Sequence, residues 1–333
     1  MMMKNLPSVT FSILAASALI SGAAYAGEAV SFGTNWVAQA EHGGFYQAVA
    51  DGTYAECGLD VTIVPGGPQV NNRARLLAGR VDFYMGGMLG VLSAVEQGIP
   101  VVSIAAMFQK DPQVILAHPG KAETFEDLRA LRVFIGDEGF VTYYRWLIEE
   151  YGFTPEQRAV YTFNPAPFIA DENSAQQGMV TSEPLTIRNQ AGWDPEIFLL
   201  SDQGYTAYST TIETMAATLN ERPDVVSCFV DGSIKGWYNY LYGDNSAANA
   251  AIKAANPDMS DERIAYSIAA MKERGIVDSG DALEMGIGAL DAERISGFVA
   301  SMIAAGVLPE GPDYSRAFDL SFVNKGVGLD LRP

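Results

Sequence analysis

Histidine and cysteine are scarce in this chain of 333 residues, at two each, and no pair of them stands at metal-ligand spacing. A structural or catalytic zinc site is therefore not expected. Positive charge is also short: 21 Lys and Arg stand against 40 Asp and Glu, a net charge of −19. That balance excludes nucleic acid as a partner. Beyond residue 26 no apolar run reaches the ~18 residues that a membrane helix requires. No repeat of 20–50 residues is evident, and no low-complexity tail. Gly86-Gly87-Met88-Leu89-Gly90 lacks the G-x-G-x-x-G spacing of a dinucleotide site. What is present is 48% hydrophobic residues, enough for a sizeable core. A chain of about 300 residues is comfortable as two lobes.

The first 26 residues read as a cleaved secretory signal. Lys4 is the only charge before Glu28, Phe11 to Ala24 is apolar or small, and Ala24-Tyr25-Ala26 is an A-x-A site. Gly27 would be the first mature residue. No cysteine follows the site, so a lipid anchor is not expected. An oxidising compartment permits a disulfide between Cys57 and Cys228. Each lies in an apolar segment, however, where a free buried thiol is the ordinary reading and the one expected here.

Strands and helices alternate from Ser31 onward. A strand ends at Asn35-Trp36, a polar loop carries Glu41 and His42, and a helix runs from near Phe45-Tyr46 to Cys57-Gly58. Strands are predicted at Leu59–Val64, Val81–Met85, Ile99–Phe108, Gln113–Ala117, Arg132–Gly136, Val160–Phe163, around Met179-Val180, and at Glu196–Leu200. Thr124–Asp127 has capping-box spacing, and Thr154-Pro155-Glu156-Gln157 combines an N-cap, a first-turn proline and a Gln. Thr142–Tyr151 is a helix with Tyr143, Trp146 and Leu147 on its apolar face, and from Thr211 onward the chain reads as mostly helical. The fold expected is α/β, with two α/β lobes, parallel sheets and a helical C-terminal tail. Residues 27–110 with 206–333 would form lobe 1 and 111–205 lobe 2, joined by a hinge of two crossings. Ligands of parallel sheets bind beyond the carboxyl ends of the strands. Those ends carry Trp36, Gly66-Gly67 and Gly86-Gly87, aromatic surface and bare backbone.

This layout, with its Thr34-Asn35-Trp36, its His42-Gly43-Gly44-Phe45-Tyr46 turn, Gly58-Leu59-Asp60-Val61, the Leu76–Phe83 run and Thr181-Ser182-Glu183-Pro184, resembles the periplasmic substrate-binding proteins of ABC importers. The branch it resembles is the one related to binders of thiamine-pyrimidine precursors, sulfonates, taurine and nitrate. The resemblance implies a type II-like, two-lobed Venus-flytrap receptor in the periplasm. It implies a monomer with a small-molecule ligand and a permease subunit as partners, without a cofactor and without catalysis. The same branch includes pyridoxal-dependent enzymes that make the thiamine pyrimidine. Aligned without gaps, their Schiff-base lysine falls on Gly86 and their donor histidine on Gly90, and their clustered cysteines are absent. Without that lysine no Schiff base forms there.

The candidate ligand-binding residues are Asn35, Trp36, His42, Phe45, Tyr46, Tyr84, Gly87, Glu138, Glu183, Tyr205 and Tyr208. Each has a plainer reading. Trp36 or Tyr84 could be core, and Asn35 could cap a turn. His42 could bond the loop backbone. One of Phe45 and Tyr46 should face the core. Glu183 could favour a helix N-terminus, and Tyr205 and Tyr208 could pack the hinge. Arg73 and Arg75 fall on a helix whose default is a solvated face. The cleft segments otherwise carry Glu41, His42, Asp137, Glu138 and Glu183, a set suited to a neutral or cationic nitrogen heterocycle held between aromatic faces. A thiamine-pyrimidine precursor fits it best. A sulfonate-type anion would need Arg, hydroxyl or helix N-terminal donors instead.

Overall fold

A computed structural model describes residues 27–333; the expected signal segment lies outside the described residues. Ten strands form two five-stranded sheets. The first contains β1 (Glu28–Gly33), β2 (Leu59–Val64), β3 (Phe83–Gly86), β4 (Val101–Phe108) and β10 (Ser209–Met215), in the order β2-β1-β3-β10-β4. The second contains β5 (Gln113–Ala117), β6 (Arg132–Ile135), β7 (Arg158–Val160), β8 (Ser174–Met179) and β9 (Glu196–Leu199), in the order β7-β6-β8-β5-β9. The chain passes between the sheets twice, from β4 to β5 and from β9 to β10.

The expected parallel sheets are in fact mixed. β10 runs antiparallel to both β3 and β4, and β5 antiparallel to both β8 and β9. The returning strand β10 lies inside the region expected to be helical. Its sequence, Ser-Thr-Thr-Ile-Glu-Thr-Met, carries a charge in the middle, yet Glu213 is fully buried. Likewise β8 is a six-residue central strand rather than the short segment expected, because its Gln176 and Gln177 masked the apolar pattern. The strand expected at Val160–Phe163 sits earlier, at Arg158–Val160. Both anticipated capping boxes form, at Thr124 and at Thr154.

The expected helix between β1 and β2 is two helices, Gly43–Ala50 and Thr53–Glu56. They break at Gly52, whose φ of 81° is a conformation that glycine adopts without strain. The first helix packs against the 20-residue helix Pro223–Tyr242. The Gly43-Gly44 pair makes this possible: a Cβ on Gly43 would enter the ring of Tyr240, and one on Gly44 the ring of Trp237. Phe45, Trp237, Phe32, Phe229 and Phe83 then form a continuous aromatic core beneath the first sheet, with Phe83 and Phe229 stacked at 4.2 Å. Aromatic pairs of this kind contribute roughly 0.5–1.5 kcal/mol each beyond their buried area.

Cys57 and Cys228 are bonded to each other, with Cα atoms 6.0 Å apart. This corrects the expectation of free thiols. The partners are 171 residues apart in sequence, and only the packing of the long helix against the first lobe brings them together.

Candidate ligand-binding cleft

The loop after β1 is built to project its side chains. Thr34 is buried; its hydroxyl donates to the Trp36 carbonyl at 2.8 Å and accepts from the Gly66 N–H at 3.1 Å. Asn72 holds the same loop by donating to the carbonyls of Thr34 and Val64. With the backbone pinned from below, Asn35 and Trp36 are left exposed, Trp36 at 44%. An exposed tryptophan on a fixed loop at a strand end has no core role. His42 does the opposite. It is fully buried, with Nε2 3.2 Å from Asn35 Oδ1. For Nε2 to donate there the ring must be the Nε2–H tautomer, and Nδ1 then has no partner. Burial pushes its pKa down to about 3, so the ring is neutral.

Of the remaining candidates, four are structural in position. Phe45 is fully buried in the aromatic core and Tyr46 nearly so. Tyr205 is buried among Tyr143, Trp146 and Phe298. Tyr208 is buried under the Arg294 guanidinium, which lies 3.8 Å from its ring centre. Arg294 also donates to the carbonyls of Gln109 and Thr206, one from each crossing, so Tyr205 and Tyr208 belong to the hinge packing. Glu183 is engaged at its own helix start. Its Oε2 accepts from the Met179 N–H at 2.7 Å and the Ser182 hydroxyl at 2.6 Å.

Tyr84 is half-buried beneath Arg73, and its pKa is pushed up to about 12, first by burial and then by the Glu213 charge. The charge of Glu138, from the second sheet's part of the chain, raises it further. Glu41 is raised chiefly by its burial, and the charge of Glu183 adds to that shift. Gly87 faces open space, since a Cβ there would meet nothing within 4 Å.

Gly86 does not face open space. A Cβ at this position would collide with the carboxylate of Glu213. That carboxylate is fully buried and pairs with Arg73 at 2.5 Å, and Arg73 also donates to the Gly90 carbonyl at 2.7 Å. A Cβ on Gly90 would approach the same guanidinium at 3.0 Å. The two positions that align with the Schiff-base lysine and the donor histidine therefore surround an internal ion pair. Burial raises the pKa of Glu213, and the adjacent Arg73 opposes that shift.

The second lobe adds residues that the sequence reading had assigned to packing or not assigned at all. The Tyr143 hydroxyl donates to Gln177 Oε1 at 3.0 Å, and the same oxygen accepts from the Gly136 N–H at 2.6 Å. Gln176 Nε2 donates to the Tyr161 hydroxyl at 3.3 Å. Tyr143 and Tyr161 both feel the charge of Glu183. The signal for these residues was two consecutive glutamines in a strand, of which Gln176 is buried and Gln177 half-buried, polar groups that need partners. Of the cleft carboxylates, Asp137 is paired with Arg158. Among the described residues no group of His, Cys, Asp and Glu is arranged to hold a metal ion, and no helix is long and apolar enough to cross a membrane.

Two lobes of mixed sheet with two crossings define the periplasmic binding protein fold, and comparison with solved structures agrees. The aliphatic sulphonate binding protein SsuA of Escherichia coli superposes with a TM-score of 0.61 at 13% identity, over 87% of this chain and 91% of that one. The chain belongs to the NMT1/THI5-like family, which matches residues 39–247. It is 22% identical to the riboflavin-binding protein RibY of Chloroflexus aurantiacus, over 89% of this chain and 86% of that protein. It is 26% identical to the 4-amino-5-hydroxymethyl-2-methylpyrimidine phosphate synthase THI11 of Saccharomyces cerevisiae, over 43% of each.

Proposed function

We propose that this protein is the solute receptor of an ABC importer, exported to the periplasm, and that its ligand is a small nitrogen heterocycle, in the first instance a thiamine-pyrimidine precursor. The observation that carries the reading is the charge of the cleft. The charge of Glu183 acts on Glu41, Tyr143 and Tyr161, and that of Glu138 on Tyr84 and Tyr143, which supports an acidic site with aromatic walls. Arg73 and Arg158 are each paired with a carboxylate, while Arg263 lines the cavity beside Glu41. Carboxylates accept from ring amino groups, and aromatic faces cover the ring. The names of RibY and of the yeast synthase, both concerned with nitrogen heterocycles, support the same class.

An anion of the sulphonate type is the second reading, favoured by the fold shared with SsuA. It would have to displace a carboxylate from Arg73, turn to Arg263 beside Glu41, or rely on neutral donors. A pyridoxal-dependent synthase is disfavoured by Gly86 and by the ion pair that fills the space beside it.

The deciding experiment is a thermal-shift and calorimetry panel of 4-amino-5-hydroxymethyl-2-methylpyrimidine, riboflavin, taurine and pyridoxal phosphate. A ligand at ~100 times its dissociation constant adds ~2.7 kcal/mol of stability. Binding of a heterocycle, with a smaller radius of gyration at saturation, is expected. Binding of taurine alone would overturn the ligand class. A Schiff-base absorbance band with pyridoxal phosphate would overturn the receptor reading.

A further inference from the structure

Glu183 was among the candidate ligand-binding carboxylates, but both hydrogen bonds to its Oε2 are made at the start of its own helix. Glu41 is different. It lies in the short turn before the Gly43–Ala50 helix, buried, where the second lobe and the Asp261–Glu273 helix close over it. A cavity of about 70 Å³ remains between these parts, lined by Glu41 and Gln39 from one side, Thr181 and Ser182 from the other, and Ser267 and Arg263 from the helix. It has room for a small polar substituent rather than for a whole large ligand.

The groups around this cavity are polar and incompletely satisfied. Thr181 is 1% exposed, and its hydroxyl makes no hydrogen bond. It lies close enough to Glu41 to offset part of the burial that raises the Glu41 pKa, without reaching hydrogen-bond geometry. Outside the cavity lining, the Tyr240 hydroxyl and His42 Nδ1 are also buried without partners. Ser267, by contrast, donates to the Thr181 carbonyl at 2.8 Å and so holds the second lobe in place over the site. Buried polar atoms without partners are rare in folded proteins, and each costs roughly 1–3 kcal/mol. One such atom, the Thr181 hydroxyl, belongs to the lining of the same cavity as the buried Glu41, at the junction of the lobes, where a polar group from outside the chain would complete it.

We infer that Glu41 and Thr181, one from each lobe, form the subsite that reads an exocyclic amino group on the ligand's ring. The Glu41 carboxylate accepts one amino N–H, and the Thr181 hydroxyl accepts the other. Because the two groups come from different lobes, a ligand that engages both bridges them. The subsite selects amino heterocycles over their oxo counterparts, because a carbonyl oxygen placed against a carboxylate is repelled. This assignment rests on the reading of the cleft as a heterocycle receptor.

The test uses 4-amino-5-hydroxymethyl-2-methylpyrimidine and its 4-oxo analogue as probes, with titration calorimetry on the whole mature protein. The parent should bind the amino compound at least ~10-fold more tightly than the oxo compound. Glu41→Gln should erase that preference by weakening the amino compound ~10-fold or more, with the oxo compound unchanged or improved. Thr181→Val, which keeps the shape of the side chain, should weaken the amino compound several-fold and serves if Glu41→Gln does not fold. If the parent binds the amino compound and both variants bind it as well as the parent, the subsite is wrong while the receptor reading stands. If the parent binds neither pyrimidine and no other heterocycle of the panel, the receptor reading fails and the subsite falls with it.

Discussion

Acidification should expose the cost of keeping His42 neutral. In the folded protein its pKa is pushed down to about 3 from the ordinary 6.5, by burial. The unfolded chain therefore takes up a proton near pH 6.5 that the folded chain refuses until about pH 3. Stability contributed by this residue is complete above pH 6.5 and is lost as the pH falls, at about 1.4 kcal/mol per unit. Between pH 7 and pH 5 the loss comes to about 2 kcal/mol. The parent's own curve will hide it. Asp111 is raised to about 6 by burial, and Glu41 and Glu213 are raised as well. These folded-state carboxyls bind protons before their unfolded counterparts do, so they add stability as the pH falls and oppose the histidine. The clean measurement is a difference. Urea unfolding of the parent and of His42→Gln, which retains a donor toward Asn35, should be compared at pH 7, 6 and 5. The gap between the two should move by about 2 kcal/mol in favour of the variant on going to pH 5. Parallel curves would mean that His42 takes up its proton as readily in the folded chain, and that its burial is not as described.

Two further outcomes test the frame around the cleft. Closing a loop of 171 residues, the Cys57–Cys228 bond should contribute about 5 kcal/mol in the chain-entropy model; denatured, unreduced protein should give no reaction with a thiol reagent, and two reactive thiols would refute the bond. Gly86→Ala should cost roughly 1–3 kcal/mol by forcing the Glu213 carboxylate aside, whereas Gly87→Ala should be tolerated; equal melting temperatures for the two variants would remove the packing argument for Gly86.

Several features could be read from the chain without its fold. The alternation of apolar strands and capped helices is local, and so were the two capping boxes at Thr124 and Thr154. Trp36 and Gly87 could be placed at strand ends because turn residues follow the strands directly, and both do face outward. What local pattern could not show was anything that depends on a distant partner. β10 looked unlike a strand because its central Glu213 is paid for by Arg73, 140 residues earlier in the chain. β8 looked too polar because Gln177 is satisfied by Tyr143 and Gly136. The glycines of the Gly43-Gly44 pair read as a loop signal, but the rings of Tyr240 and Trp237 require them. The disulfide was missed for the same reason, since sequence carries no distance between residues 57 and 228. Glu41 and Glu183 are the sharpest case. Both are carboxylates in polar turns ahead of a helix, indistinguishable by composition. Only the folded chain shows that Glu183 is held at its own helix start while Glu41 is buried in a cavity that Thr181, whose hydroxyl has no partner, also lines. Sequence determines which residues are polar and where helices and strands begin. Tertiary structure decides which polar groups are satisfied within the chain, and therefore which remain for a ligand.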